Sequence, residues 1–193
     1  MSELNEAYWT KRYEDGSTGW DIGYASPQLI KAAEKAGSDK KILIPGAGNA
    51  YEAEELWNKG FKNLYICDLS EAPLNAFLER VPDFPKTQLL HGDFFELDQQ
   101  FDVVLEQTFF CALPPSMREQ YVSKMSEILV DKGVLTGLLF DFPLTEQGPP
   151  FGGSQEEYRE RFSTHFEITH LAISEHSITP RSGKEFYFEL VKK

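Results

Sequence analysis

The amino-acid sequence predicts an α/β protein in which a seven-stranded, mostly parallel sheet carries helices on both faces. Three observations support this prediction. Short apolar runs alternate with amphipathic segments between residues 41 and 140, which is the pattern of repeated β–α units. A glycine-rich loop joins the first apolar run to the helix that follows it. The segments 166–174 and 185–191 alternate apolar and polar residues with a period of two, which indicates a C-terminal antiparallel hairpin.

Five apolar runs are interpreted as buried strands because turn residues bound each of them. Right-handed crossovers between them favour one doubly wound parallel sheet. The predicted strands are residues 41–44, 63–68, 87–91, 101–106 and 133–140, and the predicted helices are residues 3–13, 26–36, 51–59, 71–80, 116–129 and 154–162.

Local signals define several helix ends. Ser26 precedes Pro27, so we expect the serine to cap free backbone N–H groups and the proline to occupy the first turn. Gly37 is expected to end the same helix. Ser154 and Glu157 have the spacing of a capping box, which predicts the start of the last helix.

Composition limits the classes of function. The 193 residues suit a single domain, residues 1–193. A formal net charge of −12 disfavours nucleic acid and anionic membranes as partners, although a local basic site remains compatible with it. The first twenty residues hold no apolar targeting stretch, and no run of about 18 apolar residues predicts a membrane helix.

The two cysteines, Cys67 and Cys111, lie in apolar surroundings without a second cysteine at metal-ligand spacing. We expect free, buried thiols in a reduced cytoplasmic protein, and no metal site. No coiled-coil pattern is present, so a monomer is the expected state.

The loop after the first predicted strand has the sequence PGAGNAY, in which Gly46 and Gly48 form G-x-G and Tyr51 fills the third glycine position of the dinucleotide fingerprint. Glycines let the backbone approach a ligand closely, and the next helix offers its N-terminal N–H groups. Asp68 ends the second strand, 20 residues after Gly48, where a carboxylate can accept both ribose hydroxyls of a nucleoside cofactor. The alternatives are an ordinary tight turn and a helix-capping aspartate.

A further acidic residue, Asp93, follows the third strand and precedes Phe94. An aspartate and an aromatic ring at that edge can bind an adenine amino group and stack on its ring. A turn-capping role is the alternative for Asp93. A dinucleotide enzyme needs a second mononucleotide-binding half, for which 193 residues leave little room. The pattern therefore favours a methyltransferase over a nicotinamide-dependent oxidoreductase.

Several motifs resemble the thiopurine S-methyltransferase family, and within it the halide and thiol methyltransferases called harmless-to-ozone-layer proteins. The resemblance covers nearly the whole chain. The motifs are Tyr8-Trp9 with the downstream GWDIG, the IPGAG loop, GDFF at residues 92–95, TFFCALPP at residues 108–115, and GPPF at residues 148–151. The resemblance implies a Rossmann-like class I methyltransferase that uses S-adenosyl-L-methionine and yields S-adenosyl-L-homocysteine.

The resemblance also implies a cofactor site. Residues 1–25 would form a lid segment, and Trp9 and Trp20 would close over the cofactor, where a tryptophan face suits a sulfonium cation. Their alternative role is to anchor this segment on the core. The remaining implied cofactor residues are Gly46 and Gly48 at the amino-acid end, Asp68 and Leu69 at the ribose, Asp93 and Phe94 at the adenine, and Glu106, Gln107 and Thr108 at the reactive end.

An acceptor pocket would be formed by Phe109, Phe110 and Phe151, for which core packing is the alternative. Thiopurine enzymes often carry Asp-Arg where Glu106-Gln107 stand, so a positive charge is missing and an anionic heterocycle is disfavoured as acceptor. Halide-methylating relatives typically carry tyrosine where Phe151 stands, which disfavours halide turnover.

The sequence thus predicts methyl transfer to a small soft nucleophile such as a thiol, hydrosulfide or thiocyanate by in-line displacement. Such a nucleophile needs mainly proximity and alignment, so no catalytic side chain is assigned. Two alternatives remain at this point: a nicotinamide-dependent oxidoreductase, and a catalytically inactive nucleoside-binding module of the same fold.

Overall fold

The computed structural model describes residues 4–193, and the sheet at its centre has the strand order β3-β2-β1-β4-β5-β7-β6. Strands β1 to β5 are parallel, whereas β7 runs antiparallel to both β5 and β6. The strands are β1 Ile42–Pro45, β2 Leu64–Asp68, β3 Leu89–His91, β4 Phe101–Gln107, β5 Leu129–Phe140, β6 Phe166–Ile173 and β7 Glu185–Lys192. The predicted parallel sheet with an antiparallel C-terminal hairpin is confirmed.

Helices cover both faces of this sheet. They are α1 Glu6–Glu14, α2 Pro27–Ala36, α3 Tyr51–Asn58, α4 Glu71–Arg80, α5 Arg118–Ile128 and α6 Gln155–Phe162, with short 3-10 turns at Lys86–Gln88, Phe94–Glu96, Phe110–Ala112, Pro115–Met117 and Thr179–Arg181. The start predicted for the first helix, residue 3, lies outside the described residues.

Alternating side chains of the strands divide the core into two apolar layers. Ile42 and Ile44 of β1 pack on one side with α2, α3 and α4, while Leu43 packs on the other side with α5 and α6. This is the burial expected of a parallel strand covered on both faces.

Two capping predictions need correction. Ser26 occupies the N-cap of α2, but its side chain makes no capping hydrogen bond; its backbone N–H donates instead to Glu52 Oε1 at 2.8 Å. At α6, Ser154 Oγ accepts from the N–H of Glu157 at 3.3 Å, as predicted. The Glu157 carboxylate, however, binds the buried guanidinium of Arg118, so the reciprocal half of the capping box does not form.

One strand begins earlier than predicted. Strand β5 starts at Leu129, directly after α5, rather than at residue 133. Leu129 is fully buried and pairs with Phe101 at the start of β4, so a contact across the sheet decides its conformation. Local helical periodicity alone favours the helix, and this tertiary pairing overrides it.

Among residues 4–193, no helix combines the length and the apolar character needed to cross a bilayer. Within the same range, no group of three or more potential ligands is placed to hold a metal ion. Both cysteines are free and buried, and burial raises the pKa of the Cys67 thiol to about 12.

Candidate active site

The sheet order reverses direction between β1 and β4, and a cavity of about 1050 Å³ opens at the carboxyl ends of these strands. Such a switch point is where open α/β sheets bind ligands, because the loops on either side of it diverge. The cavity extends from helix α1 and the loops after β2 and β3 to the loop after β4 and the turn between β6 and β7.

The glycine loop lies directly beneath the loop that follows β4. Gly46 and Gly48 have φ angles of 57° and 53°, a region that favours glycine. A Cβ atom on Gly46 would stand only 2.5 Å from Cδ2 of Phe109. The glycine therefore lets the two loops touch, and Gly46 and Phe109 both line the cavity.

Asp68 connects the glycine loop to the cavity wall. Its Oδ2 accepts from the N–H of Gly48 at 2.8 Å, and its Oδ1 accepts from the N–H of Ser70 at 2.9 Å. The residue is 7% exposed and lines the cavity, and burial raises the pKa of its carboxyl group. Gly48 itself borders a smaller second pocket. A carboxylate accepts about four hydrogen bonds, so Asp68 retains acceptor capacity for a ligand.

Asp93 and Phe94 lie side by side in the cavity wall with Leu69. Asp93 Oδ1 accepts from the N–H of Phe95 at 2.9 Å, which caps the short 3-10 turn that follows. The Phe94 ring meets the Phe109 ring edge to face, with centroids 5.1 Å apart. The capping role and a place in the cavity therefore coexist at Asp93.

The N-terminal segment closes one side of the cavity. Trp9 on α1 meets Trp20 edge to face at 5.5 Å, and both residues line the cavity. Arg12 lies 5.4 Å from the centroid of Trp20. Thr10 is hydrogen-bonded to Ser70 across a gap of 2.9 Å between their hydroxyl oxygens, which holds α1 against the start of α4. The two tryptophans thus anchor the segment and present aromatic surface to the cavity.

The residues at the end of β4 separate in space. Thr108 lines the main cavity and has a φ of 60°, in the left-handed region. Gln107 borders the second pocket, of about 60 Å³, and its Oε1 is buried without a hydrogen-bond partner among residues 4–193. Glu106 is fully buried and borders neither pocket. Its location beneath the cavity, rather than in its wall, differs from the position expected from the sequence.

Of the three phenylalanines expected in the acceptor pocket, Phe109 lines the cavity, whereas Phe110 and Phe151 are buried outside its wall. The Phe110 ring packs against Tyr121 and Phe162 in the core. Phe109 precedes the 3-10 turn as its N-cap and Phe110 is its first residue; the two adjacent side chains point in different directions, and only Phe109 lines the cavity.

A basic side of the cavity comes from the turn between β6 and β7, a segment in which the sequence motifs predict no site residue. Arg181 and Lys184 line the cavity beside Phe140. Arg181 Nη2 donates to the carbonyl of Trp20 at 2.8 Å, and Nη1 lies 3.5 Å from Glu185 Oε1. Nη1 is buried and has no hydrogen-bond partner within residues 4–193. The sequence signal is a small cationic cluster, residues 181–184, in an acidic chain.

An apolar chamber adjoins this basic side. The chamber is lined by residues from two loops, one between β4 and α5 and one between β5 and α6: Ala112, Leu113, Pro114, Met117, Phe142, Pro149 and Pro150. A guanidinium at the edge of an apolar chamber suits a ligand that has an apolar body or a weakly hydrated negative charge.

The strand order and the antiparallel hairpin are those of the Rossmann-like fold of class I methyltransferases. The sequence model of the family described as Thiopurine S-methyltransferase (TPMT) matches residues 4–187, and the chain belongs to this family. The family resemblance seen in the motifs is therefore confirmed.

Curated relatives span both branches of the family. The chain is 28% identical over 192 residues to "Probable thiol methyltransferase 2" of Arabidopsis thaliana, covering 96% of this chain and 84% of that protein. It is 27% identical over 189 residues to "Thiocyanate methyltransferase 1" of Brassica oleracea, covering 94% and 83%. It is 24% identical over 192 residues to "Thiopurine S-methyltransferase" of Acinetobacter baylyi, covering 86% and 87%.

Solved structures share the fold at low sequence identity. One is the 1,6-didemethyltoxoflavin-N1-methyltransferase of Burkholderia thailandensis with bound 1,6-didemethyltoxoflavin and S-adenosylhomocysteine, with a TM-score of 0.78, 16% identity and coverage of 97% of this chain and 87% of that one. Another is a glycopeptide N-methyltransferase complexed with S-adenosylhomocysteine, with a TM-score of 0.70, 15% identity and coverage of 94% and 98%.

The family is one of S-adenosylmethionine-dependent methyltransferases, so the enzyme class and the cofactor expected from the sequence are confirmed. The oxidoreductase and inactive-module alternatives are not favoured. The polar groups of the site fit this cofactor. The carboxylates of Asp68 and Asp93 line the main cavity together with aromatic rings and can accept hydrogen bonds from hydroxyl groups. The amide oxygen of Gln107, which borders the second pocket without a partner among residues 4–193, can accept from an ammonium group.

Burial of Glu106 predicts a pH dependence of stability. Desolvation raises the pKa of this carboxyl group to about 7, above its ordinary 4.5, although Tyr121 and two backbone amides oppose the shift. The folded state therefore holds a proton that the unfolded state has lost, so the free energy of unfolding falls as the pH rises from about 4.5 to 7. The contribution is about 3 kcal/mol.

Urea unfolding of the wild type and of Glu106→Gln between pH 4.5 and 8 measures this contribution. We expect the difference between the two proteins to change by about 3 kcal/mol across this interval and to level off above it. A difference independent of pH would contradict a raised pKa at Glu106.

Proposed function

We propose that this protein transfers the methyl group of S-adenosylmethionine to a small, soft, anionic sulfur nucleophile, with a thiolate as the first candidate. The observation that carries the proposal is Arg181, whose Nη1 is buried, lacks a hydrogen-bond partner within residues 4–193 and belongs to the wall of the main cavity. Glu185 pairs with the guanidinium at 3.5 Å and Trp20 accepts from Nη2, so the free hydrogen-bonding capacity that favours an anionic ligand is that of Nη1.

The proposal assigns the cofactor to the half of the cavity nearest the glycine loop. Asp68 would accept from the ribose hydroxyls with Leu69 beside it, and Asp93 and Phe94 would hold the adenine. Trp9 and Trp20 would cover this half from α1 and its following loop. Gly46 belongs to the same wall.

The amino-acid end of the cofactor would reach toward the second pocket, which Gln107, Gly48 and Asp21 border. The unpartnered Oε1 of Gln107 is an acceptor for an ammonium group. Thr108 lies in the wall shared with the main cavity, so the proposal assigns it to the reactive end.

The acceptor would occupy the apolar chamber between Phe109 and Arg181. Gln107 replaces the arginine common in thiopurine enzymes, and Arg181 supplies a positive charge to this cavity from a different part of the chain. Phe109 and the proline-lined walls are apolar, and an acceptor that fills the chamber would displace its water and strengthen the attraction between Arg181 and an anion.

The chemistry is an in-line displacement at a methyl carbon. The cofactor, when bound, supplies a sulfonium whose carbon–sulfur bond breaks as the new carbon–sulfur bond forms, with the bonding pair leaving on the departing sulfur. The chain's residues align the reactants and exclude water. An acceptor that arrives as a thiolate needs no general base.

Calorimetric titration with S-adenosylhomocysteine, followed by methyl transfer to a panel of thiols, hydrosulfide, thiocyanate and iodide, tests the proposal. We expect micromolar binding, about −8 kcal/mol, and turnover of sulfur acceptors in preference to iodide. Turnover restricted to nitrogen or oxygen acceptors would overturn the sulfur assignment. A folded protein that binds NAD but not S-adenosylhomocysteine would overturn the proposal entirely.

Replacing Arg181 tests the acceptor site. We expect Arg181→Gln to lower kcat/KM for an anionic acceptor by at least about tenfold, because a buried charge-assisted contact is worth about 1.5–3 kcal/mol. Arg181→Lys keeps the charge and should retain most of this activity, and Arg159→Gln on the exposed face of α6 is the matched control. Equal losses for anionic and neutral acceptors would contradict the role proposed for Arg181.

A further inference from the structure

A buried carboxylate lies directly beneath the acceptor side of the cavity and organises the loop above it. Glu106 Oε1 accepts from the backbone N–H groups of Phe109 and Phe110, each at 2.9 Å. Its Oε2 accepts from the hydroxyl of Tyr121 at 2.5 Å. Glu106 and Tyr121 are both 0% exposed, so these bonds are made without competition from water.

The carboxylate fixes the point at which the chain leaves the sheet. Thr108 adopts a left-handed φ of 60°, and a 3-10 turn follows at Phe110–Ala112. The N–H groups that begin such a turn have no partner within it, and Glu106 satisfies two of them. The turn carries Phe109, Cys111 and Ala112 into the cavity wall.

Tyr121 fixes the carboxylate in turn. Its ring is held in the core by Phe94, Phe109 and Phe110. Strand β5 lies beside Glu106 in the sheet, where Gly137 pairs with it and the Glu106 backbone leaves no room for a side chain on Gly137. The titratable groups that face Glu106 are Tyr121 and the Cys111 thiol.

Burying a carboxyl group beneath a turn costs free energy, because desolvation opposes its charged form. Tyr121 and two amides offset this cost only if the loop keeps one conformation. We propose that Glu106, held by Tyr121, is a positioning residue that sets the geometry of the Thr108–Ala112 loop and thereby the alignment of acceptor and methyl group. This inference rests on the proposed function for its link to catalysis.

Two substitutions separate loop positioning from general packing. Glu106→Met has similar length and no acceptor, so it leaves both loop amides unpartnered. Glu106→Gln keeps an oxygen that accepts from both amides. Asp102→Asn is the matched control, because Asp102 lies at the other end of β4 and its Oδ2 likewise accepts a backbone N–H, that of Lys41, at 2.8 Å.

Amide hydrogen exchange measures directly whether the backbone N–H groups of the loop stay hydrogen-bonded. We expect the N–H groups of Phe109 and Phe110 to exchange at least about tenfold faster in Glu106→Met than in the wild type, since each loses its hydrogen-bond acceptor. Exchange in Glu106→Gln and Asp102→Asn should stay near the wild-type rate. Unchanged exchange at both amides in a folded Glu106→Met variant would overturn the proposal.

Steady-state kinetics and cofactor titration measure the effect of the loop geometry on methyl transfer. We expect kcat/KM for the acceptor to fall at least about tenfold in Glu106→Met, while the affinity for S-adenosylhomocysteine changes less than about threefold. Glu106→Gln should recover most of the lost activity. Equal losses of cofactor affinity and acceptor turnover would indicate a general packing role and overturn positioning, as would faster amide exchange with unchanged kcat/KM.

Failure of the positioning role of Glu106 can be distinguished from failure of the proposed function. A wild-type protein that methylates no sulfur acceptor contradicts the proposed function before any variant is made. The exchange rates of Phe109 and Phe110 then still decide whether Glu106 fixes the loop. If Glu106→Met does not fold, Tyr121→Phe removes the hydroxyl alone and should show the same pattern at smaller size; wild-type exchange and turnover there would overturn the role of the pair.

Discussion

Asp68→Ala is expected to weaken binding of S-adenosylhomocysteine by at least about 100-fold, which corresponds to about 2.7 kcal/mol. Two effects combine in this loss. The carboxylate is the acceptor proposed for the ribose hydroxyls, and each hydrogen bond to a charged group is worth about 1.5–3 kcal/mol. Its removal also leaves the N–H groups of Gly48 and Ser70 without their partner, so the glycine loop loses its anchor.

Calorimetry on three variants isolates the role of the charge. Asp68→Asn keeps one oxygen acceptor and should lose about tenfold in affinity. Asp102→Asn, a carboxylate outside the cavity wall on β4, should bind as the wild type does. Thermal unfolding establishes that each variant is folded before it is titrated. Wild-type affinity in folded Asp68→Ala would reduce Asp68 to a capping residue.

The parts of this site that follow directly after parallel strands were predictable from the sequence. A strand ending in a buried run places its next residue at the carboxyl edge of the sheet, so Asp68 and Asp93 were identified by position alone. The structure brings both into one cavity wall with Phe94 and Leu69. Sheet geometry was sufficient there because Asp68 ends β2 and Asp93 follows β3, and the parallel pairing of these strands brings their ends together.

The place of Arg181 in the cavity could not be predicted from local sequence patterns. Arg181 reaches the cavity because the hairpin of β6 and β7 packs beside β5 and turns its connecting loop over the strand ends. Its hydrogen bond to the carbonyl of Trp20 spans 161 residues of sequence. No local pattern encodes a contact of that separation, so the basic side of the cavity emerged only from the fold.

The adjacent pair Phe109 and Phe110 illustrates a different limit. Composition identifies both as apolar, but the side each one takes depends on the turn that Glu106 imposes on the backbone. Phe109 lies on Gly46 in the cavity wall, and Phe110 lies in the core. The sequence predicted the loop as part of the site; the buried carboxylate decides which ring belongs to it.

The largest effect on stability is expected at Gly137, in the middle of β5. Gly137 pairs with Glu106 on one side and with Phe188 on the other, at a φ of 155°. A Cβ atom there would stand 1.8 Å from the carbonyl oxygen of Glu106 and 2.7 Å from its carbonyl carbon. Backbone atoms cannot rotate away, and β4 cannot retreat because β1 pairs with its other edge.

Gly137→Ala should therefore lower the free energy of unfolding by more than about 4 kcal/mol, since overpacking against fixed backbone cannot be relieved by a change of rotamer. Urea unfolding measures the loss, and soluble yield reports a variant too unstable to titrate. Gly60→Ala is the matched control: its φ is 93°, but no described atom lies within 4 Å of the added Cβ.

The control should cost only about 1–2 kcal/mol, the strain of a left-handed alanine. Equal losses in Gly60→Ala and Gly137→Ala would mean that backbone conformation, and not the approach of β5 to β4, requires glycine at residue 137. A larger loss at Gly137 would instead tie stability to the site, because the strand contact that excludes a side chain is also the one that holds the Glu106 backbone in place beneath the acceptor loop.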